Sequence, residues 1–210
     1  MAALRASLLQ AAISSVKHSG FTRQTLANSV LSLPKPHDEP LSDSAVSSLF
    51  GEGDEARRTL IHAWLNDAST RMKDAPGRDV ETLLVSRLEQ NEPVVHLLPE
   101  AFALLLSPLG LPYLDIRPDF SHATNIANEA CRLAGDQSIG PAWYTRRASI
   151  AAVYTAAELH QITSPETAKP FLRDLLEKSS TVEDTLSESR IFVDYVMKSW
   201  AGIIRSRGII

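Results

Sequence analysis

Cysteine is almost missing from this chain of 210 residues. Cys131 stands alone, which excludes an intramolecular disulfide framework and suits a reducing compartment. Its apolar neighbours Ile126, Ala127 and Ala130 fall at helical spacing, so the thiol is predicted to be buried and structural. No apolar run approaches the ~18 residues of a membrane-spanning helix. Positive charge is not in excess either. The formal net charge is −4, which argues against broad electrostatic binding to nucleic acid. Strand signals are missing as well: there is no sustained alternation and no Asn-Gly or Asp-Gly hairpin pair. What remains is 44% hydrophobic and 22% charged, the balance of a folded globular protein rather than a disordered one.

The pattern is helical almost throughout. Leu4, Leu8, Leu9, Ala12, Ile13 and Val16 mark a first helix over about 4–18, stopped at Gly20. That segment lacks acids, as targeting peptides do, yet its periodicity identifies it as the first helix of the fold, with any presequence already absent. Thr22 or Thr25 caps a second helix ending near Leu33. Pro34, Pro36 and Pro40 then forbid a continuous helix. Ser42 or Asp43 caps a third helix through Phe50, ended by Gly51 and Gly53. Asp54 opens a long fourth helix, broken at Pro76-Gly77. Asp79 starts a fifth, interrupted at Pro93, and Pro99-Glu100 starts a compact apolar sixth. After a loop over 110–118, a seventh helix runs to Leu133 and an eighth from about Trp143 to Ile162. Ser164-Pro165-Glu166 supplies the cap, proline and acid of a ninth. A tenth covers about 186–205. The predicted class is all-α, about ten helices. The division is a three-helix unit over 1–53, a bundle over 54–184 and a terminal helix over 186–210.

Signals for chemistry are poor. Gly51-Glu52-Gly53 lacks the strand and spacing of a dinucleotide loop, and there is no P-loop. Ser14-Ser15-Val16-Lys17 matches Ser-x-x-Lys without its companion motifs. Gly135-Asp136-Gln137-Ser138 misses nucleophile-elbow spacing by one residue. The six histidines are scattered. Asp119 with His122, and Glu92 with His96, can share helix faces, but neither pair recurs as the Glu-x-x-His of a di-iron bundle. No catalytic or metal-binding residue is predicted. The helices before Gly51 resemble a helix-turn-helix, and 46–61 resembles the turn into the fourth helix of TetR-type regulators. Yet the candidate recognition helix, 42–50, carries no cation and one acid, Asp43, so the requirements of groove readout are not met.

Binding signals are better. On the tenth helix Phe192, Val196, Trp200, Ile203 and Ile204 share a broad apolar arc, with Lys198 and Arg205 opposite. That pattern suits a helix in a bilayer interface, and equally a packed helix with a solvated face. Leu104, Leu105, Ile150 and Val153, with intervening alanines, either leave an apolar cavity or pack closely. The stretch 134–158 places Trp143, Tyr144, Arg146 and Arg147 before a long apolar helix, a pattern of recognition rather than chemistry.

At Ala134-Gly135-Asp136-Gln137-Ser138 and Trp143-Tyr144-Thr145-Arg146-Arg147 the chain resembles the ubiquinone-biosynthesis accessory proteins of the Coq-nine family. The match covers nearly the whole chain and includes residues 49–61 and 151–159. The resemblance implies a TetR-like fold with a degenerate helix-turn-helix, without enzymatic activity, cofactor or nucleic-acid partner. It implies an apolar pocket for isoprenoid lipid, with Leu104, Leu105, Ile150, Val153 and Tyr154 as candidate lining. It implies peripheral attachment to the matrix side of the mitochondrial inner membrane through the last helix, at Phe192, Val196, Lys198, Trp200, Ile203, Ile204 and Arg205. It also implies homodimerisation and contact with other ubiquinone-biosynthesis proteins. Chief among these is the di-iron demethoxyubiquinone hydroxylase, at a surface of Trp143 and Tyr144 supported by Asp136 and Arg147. Family members commonly carry an acidic or amide residue between the positions of Ser138 and Trp143, where this chain has Ile139-Gly140-Pro141-Ala142. The Pro34–Pro40 insert is not a general feature of the family. The rival readings are a ligand-responsive TetR-like regulator and a structural scaffold with a filled core.

Overall fold

The computed structural model of the chain describes residues 2–106 and 117–182, and these are helical without a strand. Nine α-helices are formed among the described residues: α1 (Ala2–Ser19), α2 (Arg23–Asn28), α3 (Asp43–Phe50), α4 (Asp54–Thr70), α5 (Val80–Asn91), α6 (Leu98–Leu106), α7 (Arg117–Leu133), α8 (Pro141–Thr163) and α9 (Ala168–Val182). The tenth helix of the sequence reading and the loop at 110–116 lie outside the described residues.

Local chemistry sets the starts. The side chains of Thr22, Ser42 and Asp79 accept hydrogen bonds from the backbone N–H groups of Thr25, Ala45 and Thr82, three residues on. Each satisfies a donor that a helix start would otherwise leave without a partner. Gly51 ends α3 at φ +110°, where an added Cβ would lie 2.6 Å from Glu55, so glycine is required there twice over. Ser164 is a correction to the sequence reading. Its side chain makes no capping bond, and a short 3-10 turn, Pro165–Thr167, precedes α9. α8 also begins earlier than expected, at Pro141, because a proline lacking N–H costs nothing in a first turn.

The described chain forms two compact units. One combines Met1–Asp67 with His96–Ser107. Its core holds Leu8, Val16, Leu26, Val46, Leu60 and Ile61, and Phe21 meets Trp64 edge to face at 5.8 Å. The other combines Ala68–Val95 with residues 117–182. There α8 packs between α7 and α9, and α5 lies against all three. Leu83, Leu84, Leu88, Ile126, Val153, Ala157 and Leu172 fill the space between them, with Cys131 fully buried among them. Burial pushes the Cys131 thiol up in pKa, as expected of a structural cysteine. No described helix is long and apolar enough to cross a membrane.

Candidate recognition surface and a buried polar cluster

The end of α7 and the start of α8 build the surface. Gly135, at φ +70°, turns the chain out of α7, and the Asp136 N–H then bonds back to the Cys131 carbonyl at 3.0 Å. This fixes the Asp136 carboxylate, whose side chain is only 6% exposed. It accepts from the Ser138 hydroxyl at 2.6 Å and from the Arg147 guanidinium at 2.8 Å, with Arg146 at 3.5 Å. Hydrogen bonding by Ser138, opposed by burial and joined by Arg147, holds the carboxyl below the usual range.

Arg147 sits in the second turn of α8 and is nearly buried. Its Nη1 also donates to the Trp143 carbonyl at 3.2 Å, while its guanidinium carbon lies 4.1 Å from the centroid of the Trp143 ring. Trp143 in turn meets Tyr144 edge to face at 4.8 Å. Trp143 is 37% exposed, Tyr144 70% and Ile139 84%. The structure therefore joins all four predicted surface residues, Asp136, Trp143, Tyr144 and Arg147, into one connected group. Two form its base and two face outward. The chain enters this surface through Gly140, at φ +60° and ψ −139°.

The predicted lining residues divide between the units. Leu104 and Leu105 are half-buried in α6, in the first. Ile150, Val153 and Tyr154 lie in the apolar core of the second. The seven residues predicted to meet a membrane, Phe192 to Arg205, lie outside the described residues. In the N-terminal unit Arg23 is committed to Asp43 and Ser47 of the helix that would read DNA and to the carbonyls of Gly51 and Gly53. Among the described residues no group of three His, Cys, Asp or Glu is gathered as a metal would require.

One feature escaped the sequence reading. Inside the second unit, Glu158 accepts from the Tyr154 hydroxyl at 2.9 Å, from the Asn91 amide at 3.0 Å and from His122, whose Nε2 lies 3.3 Å from Oε2. Asn91 also receives Arg87 at 2.5 Å and donates to Gln161 at 3.1 Å, and Gln161 donates to the Leu88 carbonyl at 2.8 Å. Arg87, Asn91, Tyr154, Glu158 and Gln161 are all buried. Burial alone would raise the Glu158 pKa. The charge and hydrogen bond of His122, then Arg87 and Asn91, outweigh it and bring the carboxyl down to about 2. The available signal was the spacing of Arg87 with Asn91 and Tyr154 with Glu158. Each pair is four residues apart on an apolar face.

Fold and surface together define an all-α protein with an exposed aromatic pair at a helix start. The COQ9 family model matches residues 116–183, which contain that pair and α8. The chain is 31% identical over 144 residues to "Ubiquinone biosynthesis protein coq9, mitochondrial" of Schizosaccharomyces pombe, covering 67% of this chain and 55% of that one. It is 26% identical over 224 residues to the Drosophila melanogaster COQ9 protein of the same description, covering 99% and 65%. Against that of Rattus norvegicus it is 32% identical over 178 residues, covering 76% and 52%. The chain belongs to the COQ9 family. It spans between about half and two thirds of the length of these curated relatives.

Proposed function

We propose that the protein is a non-enzymatic accessory factor of ubiquinone biosynthesis in the mitochondrion. It binds an isoprenoid-quinone intermediate at the inner membrane, on the matrix side, and presents it to the di-iron demethoxyubiquinone hydroxylase. Membership of the COQ9 family supports the pathway, and the relatives, described as mitochondrial, support the compartment. The observation that carries the presenting role is the exposure of Trp143 and Tyr144 as an edge-to-face pair resting on Arg147 and Asp136. Aromatic residues of this kind dominate binding energy at protein interfaces. The reason for an accessory factor is physical, since each methylene of an isoprenoid tail exposed to water costs about 0.8 kcal/mol. An apolar enclosure removes that cost during transfer. Phe192, Val196, Trp200, Ile203 and Ile204, flanked by Lys198 and Arg205, supply the membrane contact, and the working form is a homodimer.

The test is binding of the purified hydroxylase to the wild-type protein and to Trp143→Lys. Weakened binding with an unchanged unfolding temperature is expected, and equal affinity removes the proposed surface. Mass spectrometry of lipid carried through purification tests the ligand, because protein free of isoprenoid lipid leaves only the scaffold reading. Flotation with anionic liposomes tests the membrane contact through polar replacements of Phe192, Trp200 and Ile203.

A further inference from the structure

We infer that Asp136 and Arg147 are positioning residues that hold the Trp143 indole in one fixed orientation, so that the surface meets its partner preformed. This rests on the reading of Trp143 and Tyr144 as the partner surface. Trp143 is a large ring at the start of a helix, where a side chain ordinarily samples several rotamers. Here one guanidinium removes that freedom. Arg147 stands four residues further along α8, one turn away, and its plane covers the indole at 4.1 Å. The same guanidinium donates to the carbonyl of Trp143 itself, so ring and backbone are held by one group.

Arg147 is in turn immobilised by Asp136 across 2.8 Å. Its guanidinium side chain is 10% exposed and the carboxylate 6%, so solvent and salt screen the pair little. Asp136 owes its own position to the turn at Gly135 and to the Ser138 hydroxyl. The order of dependence therefore runs from the end of α7, through Asp136 and Arg147, to Trp143 and then to Tyr144, which leans on its edge. Arg147 lies over the indole, and the partner is left the exposed part of Trp143 and the exposed Tyr144 ring. The complementary group is accordingly an apolar or aromatic side chain that stacks. Lysine replaces Arg147 only in part, because a point charge does not stack on the indole.

The experiment labels the full chain with 5-fluorotryptophan and reads the fluorine spectrum. Its three tryptophans, Trp64, Trp143 and Trp200, are assigned with Trp143→Phe and Trp200→Phe, which leaves Trp64 by difference. Arg147→Lys, and independently Asp136→Asn, should move the Trp143 resonance towards that of a freely solvated indole. The buried Trp64 resonance should stay in place as the internal record of folding. Affinity for the purified hydroxylase should fall about tenfold in both variants, the equivalent of one strong stacking contact. A Trp143 resonance unmoved in both variants overturns the positioning role. Wild-type protein that does not bind the hydroxylase overturns the partner reading instead, and the two failures are read from separate measurements.

Discussion

Tyr154 donates its hydroxyl proton to Glu158 across 2.9 Å, one turn further along α8, with both side chains inside the apolar core of the second unit. Burial and the neighbouring carboxylate raise the phenol pKa well above its ordinary value, so Tyr154 remains a donor under any physiological condition. A buried carboxylate is stabilising only while its partners remain. Glu158→Ala removes the anion that receives Asn91, Tyr154 and His122 together and leaves buried donors behind. A loss of about 3–5 kcal/mol is expected. Tyr154→Phe removes one donor of several, and about 1–2 kcal/mol is expected. Urea unfolding of both variants and of the double variant measures their coupling, and strictly additive losses would refute a shared network.

The same carboxylate gives stability a dependence on pH. Its pKa in the folded protein is lowered from the ordinary 4.5 to about 2. The folded state therefore binds the proton less readily than the unfolded state. The resulting stabilisation is complete above about pH 4.5 and is lost as pH falls through about 2. The groups facing Glu158 are His122 from α7, Arg87 and Asn91 from α5, and Tyr154 and Gln161 from α8. Glu158→Gln titrates nowhere in that window. Wild type is expected to lose more stability than this variant between pH 5 and pH 3, with unfolding midpoints as the measurement. Parallel curves would show that the carboxylate is not ionised in the core.

The start of α5 tests the local part of the fold. Asp79 accepts the Thr82 N–H at 2.8 Å, and that backbone hydrogen bond is the main reason its carboxyl lies below the usual range. Asp79→Ala is expected to cost about 1 kcal/mol. In a chain of this length that lowers the thermal midpoint by roughly 2–4 °C. Asp79→Asn retains an acceptor and should cost little. A calorimetric scan separates the two, and equal losses would mean that charge rather than capping fixes the start.

The contrast between capping and the polar cluster explains what was legible in the sequence. Thr22, Ser42 and Asp79 act on N–H groups three residues away, so their role is written in a four-residue window. Gly51 was equally legible, because a helix stop depends on the chain at that point. Glu158 meets Asn91 across 67 positions, and no window shows that. Seen alone, Arg87 with Asn91 and Tyr154 with Glu158 look like solvated helix pairs, and only packing of α5 and α7 against α8 turns them inward. Asp136 and Arg147 fall between these cases. Their membership of the site came from family resemblance, while the guanidinium stacked on Trp143 came from geometry. The start of α8 at Pro141 was misplaced by two residues, because Gly140-Pro141 suggests a loop where the chain uses glycine to turn and proline to begin.

Gly140 makes the last case, because backbone conformation alone decides it. At φ +60° and ψ −139° it occupies a region open almost only to glycine, yet an added Cβ would meet nothing within 4 Å. Any cost of substitution therefore comes from the chain and not from collision. Gly135 also has positive φ, +70°, and open space around it, so the two glycines form a matched pair. Asparagine tolerates the left-handed helical region, and Gly135→Asn should be nearly neutral. Gly140→Val must either hold a strained backbone, at about 1–3 kcal/mol, or rotate the first turn of α8. Rotation carries Trp143 and Tyr144 with it while Asp136 stays fixed at the end of α7. Reduced stability together with weaker hydroxylase binding is expected for Gly140→Val, and neither for Gly135→Asn. A folded Gly140→Val protein that binds as wild type would mean that the surface does not depend on how the chain enters α8.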